Sequence, residues 1–164
     1  MARVYSQHQR VYGCAAADQK SFLLGRVSGG VAQKRVGPVA LAGTDAGYGL
    51  TTSGVDTISS EVVVKRLTDG KVLHRRNAIT GNLPAEFYEA VDAVVVKGDG
   101  SVAWTADAGS ILSHKGRQRQ VEKIDQTGQM LLDHSRNIRL RSLRLSGSKL
   151  TWRDGSTTRS ATLQ

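Results

Sequence analysis

Asp107, Ser110 and His114 lie close together in the chain and supply the residue types of a hydrolase triad. Such triads are assembled by tertiary geometry and are seldom drawn from one short stretch. No Gly-x-Ser-x-Gly elbow accompanies them, so these residues read as a polar loop after Trp104. Glu86 and Glu89 are the paired carboxylates to consider, because a glycosidase needs two acids about 5 to 10 Å apart. On a short helical turn starting at Pro84 they would share one face, and a solvated helix start explains them as well. Metal chemistry has less support. His8, His74, His114 and His134 are scattered, and Asp45 and Asp99, which follow the matched Gly43 and Gly98, read as turn-forming aspartates rather than a repeated cation site. The single cysteine, Cys14, permits neither an intramolecular disulfide nor a cysteine-rich zinc site. The expectation is a non-catalytic protein with no metal and no cofactor.

Two residue sets remain as binding candidates. The formal net charge is +9 over 164 residues, which favours polyanions such as nucleic acid or acidic glycans as partners. From Lys115 onward eleven basic residues face four acids. Within that third, Asn137 to Leu145 alternates apolar and arginine residues. As a strand it would turn Arg139 and Arg141 to one face, with a bulge near Ser142 returning Leu143 and Leu145 to a core. Arg117, Arg119, Arg139, Arg141 and Arg144 are therefore the candidate polyanion-binding residues, with Lys115 beside them. The bland alternative is a solvated strand face. Tyr48, Trp104 and Trp152 occupy matching places in three similar stretches and form a possible aromatic ligand ring, although core packing is the favoured role for such large rings.

The elements that must position these residues are β-hairpins. Ala93 to Thr105 places Val94, Val95 and Val96 before the turn Gly98-Asp99-Gly100 and the run ending at Trp104, which is a hairpin pattern. Stretches 39–50 and 143–152 repeat it, and these are termed inner hairpins. A second, outer type covers 11–24, 62–73 and 121–132, with 157–163 as a last strand. The two types alternate, and the equivalent glycines Gly43, Gly98 and Gly147 recur at a spacing typical of repeat arrays.

With outer hairpins such as Leu67-Thr68-Asp69-Gly70-Lys71-Val72-Leu73, these units resemble β-propeller blades. That resemblance implies a single all-β domain over 1–164, built of antiparallel four-stranded units at about 37–78, 87–134 and 138–164, the last completed by 8–26. The end strands would then share one unit. Three units are few for a ring, which leaves an unusually small ring, a closed twelve-stranded β-barrel, or a homodimer completing a six-unit ring. The implied function is a binding or interaction module of unassigned ligand. The alternatives are a polyanion or nucleic-acid binder and a glycan-active enzyme with channel carboxylates. No apolar run approaches the roughly 20 residues of a membrane helix, and the chain as given shows no signal peptide, so a soluble protein is expected.

Overall fold

In the computed structural model, which describes residues 1–15, 20–28, 30–83, 85–112 and 116–164, every expected hairpin forms. β2 (Arg10–Ala15) pairs with β3 (Ser21–Arg26), β4 (Lys34–Ala42) with β5 (Asp45–Ser53), and β6 (Ile58–Arg66) with β7 (Val72–Asn77). β8 (Phe87–Val96) pairs with β9 (Val102–Ser110), β10 (Gln118–Asp125) with β11 (Gly128–His134), and β12 (Arg144–Ser146) with β13 (Lys149–Asp154). β14 (Thr157–Thr162) then pairs with β13. One further strand, β1 (Ala2–Gln7), precedes them and pairs with β2. The protein is all-β, and among the described residues its helical content is one 3-10 turn, Leu140–Ser142.

Turn chemistry explains the reversals. Asp99 Oδ1 accepts the Ser101 amide at 2.8 Å beside Gly100 at φ 88°, and Asp69 Oδ1 accepts the Lys71 amide at 2.9 Å beside Gly70 at φ 75°. In each case the aspartate closes the turn and glycine takes the left-handed position at no steric cost.

The hairpins stack in four layers, β1–β3, β4–β7, β8–β11 and β12–β14, with an apolar core between each adjacent pair. Val11, Ala15 and Leu24 of the first layer meet Ala46, Tyr48, Leu50 and Val63 of the second. Val62 and Val64 meet Val91, Val94, Val102 and Trp104 of the third. Ala103 and Val121 meet Leu150, Trp152 and Leu163 at the fourth. β5 and β9 are consequently buried on both faces. In β5 the side presented to the third layer carries Gly47 and Gly49, where a Cβ would stand 3.2 Å from Val94 Cγ1 and 2.9 Å from Val91 Cβ, so the two layers close on bare backbone.

Closure of the sheets differs from expectation. The first eleven strands form one hydrogen-bonded sheet whose layers join at corners: β3 meets β4 through the single parallel pair Arg26 and Arg35, and β6 meets β8 through Ile58 and Tyr88. β12–β14 form a separate three-stranded sheet. The sheets therefore do not close into a barrel, and the end strands expected to share a unit lie in different sheets. The physical reason is that Leu150, Trp152 and Leu163 bury themselves face-on against the third layer rather than extending an edge. The helical turn expected from Pro84 to Ala90 is also corrected: Pro84 lies outside the described residues, and from Phe87 onward the chain is β8.

Candidate anion-binding surfaces

The predicted arginines come together only in part, and they come together over acids. The polar loop expected after Trp104 is instead the body of β9, and Asp107 on it is gripped by Arg117, with Nη2 to Oδ2 at 2.7 Å and Nε to Oδ1 at 2.9 Å. Arg119 Nε stands 3.6 Å from the same carboxylate, and its Nη1 donates to the carbonyls of Arg136 and Ile138 at 3.0 and 2.9 Å. Asp92 completes the group. It is the extra residue of a β-bulge between Val91 and Ala93, which turns it away from the regular alternation. Burial pushes its carboxyl up, Asp107 adds to this, and Arg141, Arg119 and Arg117 oppose it. Arg117 and Arg119 are thus engaged by internal partners.

The remaining three arginines do not lie on one strand. Leu140–Ser142 is a 3-10 turn, with the Thr105 hydroxyl donating to the Leu140 carbonyl, so the expected alternating strand face is absent. Arg144 Nη1 donates to the carbonyls of Arg141 and Leu143 at 2.9 and 2.7 Å. Arg139 is exposed, and its side chain makes no ion pair or hydrogen bond with a described residue.

The other candidates resolve into packing. Tyr48, Trp104 and Trp152 sit in three separate core clusters, and burial pushes the Tyr48 phenol up to about 12. The two indoles donate to the Ala78 carbonyl at 2.8 Å and to Asp133 Oδ2 at 2.6 Å. They form no ring. Glu86 is exposed, whereas Glu89 is buried on β8 with Oε2 accepting the Ser60 amide at 3.0 Å. Ser110 Oγ accepts the Leu112 amide, and His114 and Lys115 lie outside the described residues. Among the described residues no group of three or more His, Cys, Asp or Glu side chains is arranged to hold a metal ion, and no helix is long and apolar enough to cross a membrane.

A second basic surface lies at the opposite end of the stack. Register fixes which side chains share a face. Val11, Gly13 and Ala15 point into the core, so Arg10, Tyr12 and Cys14 lie on the other face, where Cys14 is buried and its Sγ accepts from Arg3 Nε at 3.2 Å. Their partners lie on that face with them: Tyr5 opposite Tyr12, Arg3 opposite Cys14, Leu23 opposite Tyr12, and Arg26 opposite Arg10. A bulge opposite Val11 and Tyr12 sets this phase, because it lets Leu24 and Gly25 both face inward and turns Arg26 outward. The corner pairing then adds Arg35 beside Arg26.

Arg10, Arg26 and Arg35 thus form a row across three neighbouring strands, about 10 Å from end to end at ordinary strand spacing. None of them has an ion pair or side-chain hydrogen bond with a described residue. A depression of about 320 Å³ opens beside the row, lined by Arg10, Leu23, Leu24, Gly25, Arg26 and Lys34. Next to the row, the Tyr5 and Tyr12 rings stack at 5.6 Å and 23°, with the Arg3 guanidinium 5.6 Å from the centre of the Tyr5 ring. No acidic residue occurs in β1, β2, β3 or β4. Sequence reasoning missed this surface, although two signals pointed to it. Val4-Tyr5 is repeated as Val11-Tyr12, and residues 1–44 hold Arg3, Arg10, Lys20, Arg26, Lys34 and Arg35 against Asp18 alone.

By sequence the chain matches no protein-family model and no curated protein.

Proposed function

We propose that the protein is a non-catalytic binding module that recognises polyanions through basic surfaces on the two end layers of its stack. The observation that carries the reading is a grouping of cations without a described counterion: Arg10 and Arg26 on the first layer, with Lys34 and Arg35 at its corner to the second, and Arg136, Arg139 and Lys149 at the other end. Like charges set side by side on neighbouring strands oppose folding, and an anionic ligand removes that penalty. Such a contact releases condensed counterions, so affinity falls steeply with salt. The acids are concentrated in the two middle layers, where Asp107 and Asp125 are held in internal ion pairs.

The test is size-exclusion chromatography with light scattering at low and high salt, with and without nuclease, followed by elution from immobilised heparin and immobilised DNA. Retention at 50 mM salt that is lost by several hundred millimolar is the expected result. Passage through both matrices at low salt would overturn the reading.

A further inference from the structure

The open face of β1–β3 combines two features that polyanion binding alone does not require. One is the row Arg10, Arg26 and Arg35, and the other is the stacked pair Tyr5 and Tyr12 on the same face, with Arg3 at its side. Arginine presents a planar fork that matches phosphate in a bidentate manner. A half-exposed aromatic ring offers a face on which any base can stack.

We propose that this face binds single-stranded nucleic acid, the arginine row following the phosphates and the tyrosine pair receiving bases. The proposal rests on the polyanion reading and narrows it to one ligand class and one end of the molecule. Duplex DNA keeps its bases stacked internally and offers this face only phosphates. An acidic glycan offers charge without flat rings. A flexible single strand alone engages both features.

Neighbouring residues fit the assignment. Tyr5 Oη is anchored by donating to Ser21 Oγ at 2.8 Å, which fixes its ring plane. Leu23, half exposed, lies beside Tyr12 and widens the apolar platform. The depression beside the row is lined by Arg10, Arg26 and Lys34 together with Leu23, so charge and apolar surface meet there.

The experiment is fluorescence anisotropy of the full chain with a labelled twelve-nucleotide oligothymidine, the matching duplex, and a heparin oligosaccharide, each titrated between 50 and 200 mM salt. The variants are Arg10→Gln, Arg26→Gln, Tyr12→Ala and, at the far end, Arg139→Gln, with thermal melts to establish that each folds. The single strand should bind tightest. Tyr12→Ala should weaken it about tenfold while leaving heparin binding in place. Each arginine variant in the row should lower the slope of log affinity against log salt by about 0.7, and Arg139→Gln, on the other basic surface, should leave the preference for single strand over duplex unchanged. Because Arg10→Gln alters an exposed side chain, it reads the site even if Tyr12→Ala destabilises the sheet. Equal, salt-dependent binding of all three ligands, insensitive to Tyr12→Ala and Arg10→Gln, would overturn this inference and leave the polyanion reading standing. Absence of binding to any of them would overturn both.

Discussion

Lys123 Nζ stands 2.6 Å from Asp125 Oδ2 on β10, with the two residues only 6 % and 8 % exposed. The same carboxylate oxygen accepts the Gln164 amide at 2.9 Å, and Lys123 Nζ also donates to the Thr162 carbonyl at 2.9 Å. One buried ion pair therefore fastens the fourth layer to the third. Removing one partner of such a pair leaves an uncompensated charge and costs about 3–5 kcal/mol, whereas replacing both by apolar residues can be neutral. Asp125→Asn should lower stability by that amount in urea unfolding, and the double variant Lys123→Met with Asp125→Leu should recover most of the loss. A single variant that unfolds at the parental midpoint would contradict this role.

The acid side of the stability profile follows from the same residue. Burial alone would raise the Asp125 carboxyl, but hydrogen bonds from Lys123, Thr127 and the Gln164 amide outweigh it and hold the group well below the ordinary carboxylate range. A depressed folded-state value means that the unfolded chain takes up the proton first. The stabilisation is thus complete above about pH 4 and is lost as pH falls below that through the folded-state value. Urea midpoints measured from pH 7 to pH 2 should drop steeply at the acid end in the parent and less in Asp125→Asn.

Glu89 should behave in the opposite sense. Burial raises its carboxyl above the usual range, against the amides of Ser60 and Ile79 that hold the charge. A raised value favours the folded state below the unfolded value near pH 4.5, and that advantage disappears as pH rises through the folded one. Glu89→Gln keeps an acceptor for Ser60 and removes the buried charge, so relative to the parent it should gain stability between pH 4 and pH 7. Parallel profiles for the two proteins would show that Glu89 is not charged against a burial cost.

At Gly49 the second and third layers close on bare backbone. Gly49→Ala puts a methyl 2.9 Å from Val91 Cβ, within the rigid part of that side chain. Overpacking of this kind costs about 1–3 kcal/mol, and thermal melts should show it. An alanine exposed on β4 should leave the midpoint nearly unchanged.

The turn between β1 and β2 holds His8 at φ 46° and Gln9 at φ 63°, two side chains in the left-handed region that two-residue hairpins favour for asparagine and glycine. Each such residue costs about 1 kcal/mol or more. Gln9→Gly should raise the melting temperature by about 2–4 °C. A fall instead would mean that the Ser28 hydroxyl donating to Gln9 Oε1 at 3.2 Å outweighs the backbone relief.

How much of this was legible depends on the range of the interaction. Hairpins were legible because strand alternation and the Asp-Gly signals around Gly70 and Gly100 are local. β1 was not, since its turn carries His8 and Gln9 where glycine or asparagine would have marked it. The stacking was hidden because β5 contributes Gly47 and Gly49 to a face that only a second layer explains. For the sites, the run from Arg139 to Arg144 alternates like a strand, yet its 3-10 turn is set by a distant hydroxyl, that of Thr105. Arg117 and Arg119 are adjacent to their partner Asp107 only through the β9–β10 register. The row Arg10, Arg26 and Arg35 depends on a bulge and a corner, neither of which composition encodes.

The corners have a consequence for motion. A joint one residue pair wide, as at Arg26 and Arg35 or at Ile58 and Tyr88, carries little hydrogen-bonded cooperativity from one layer to the next. Each layer is thereby a separate unit of opening, held to its neighbour by apolar burial and by a few bonds through side chains, such as Ser60 to Glu89 and the contacts of the Lys123–Asp125 pair. The backbone amides of β1–β3 can trade their protons with solvent when that layer lifts, while β5 and β9, covered on both sides, give theirs up only when the whole chain unfolds.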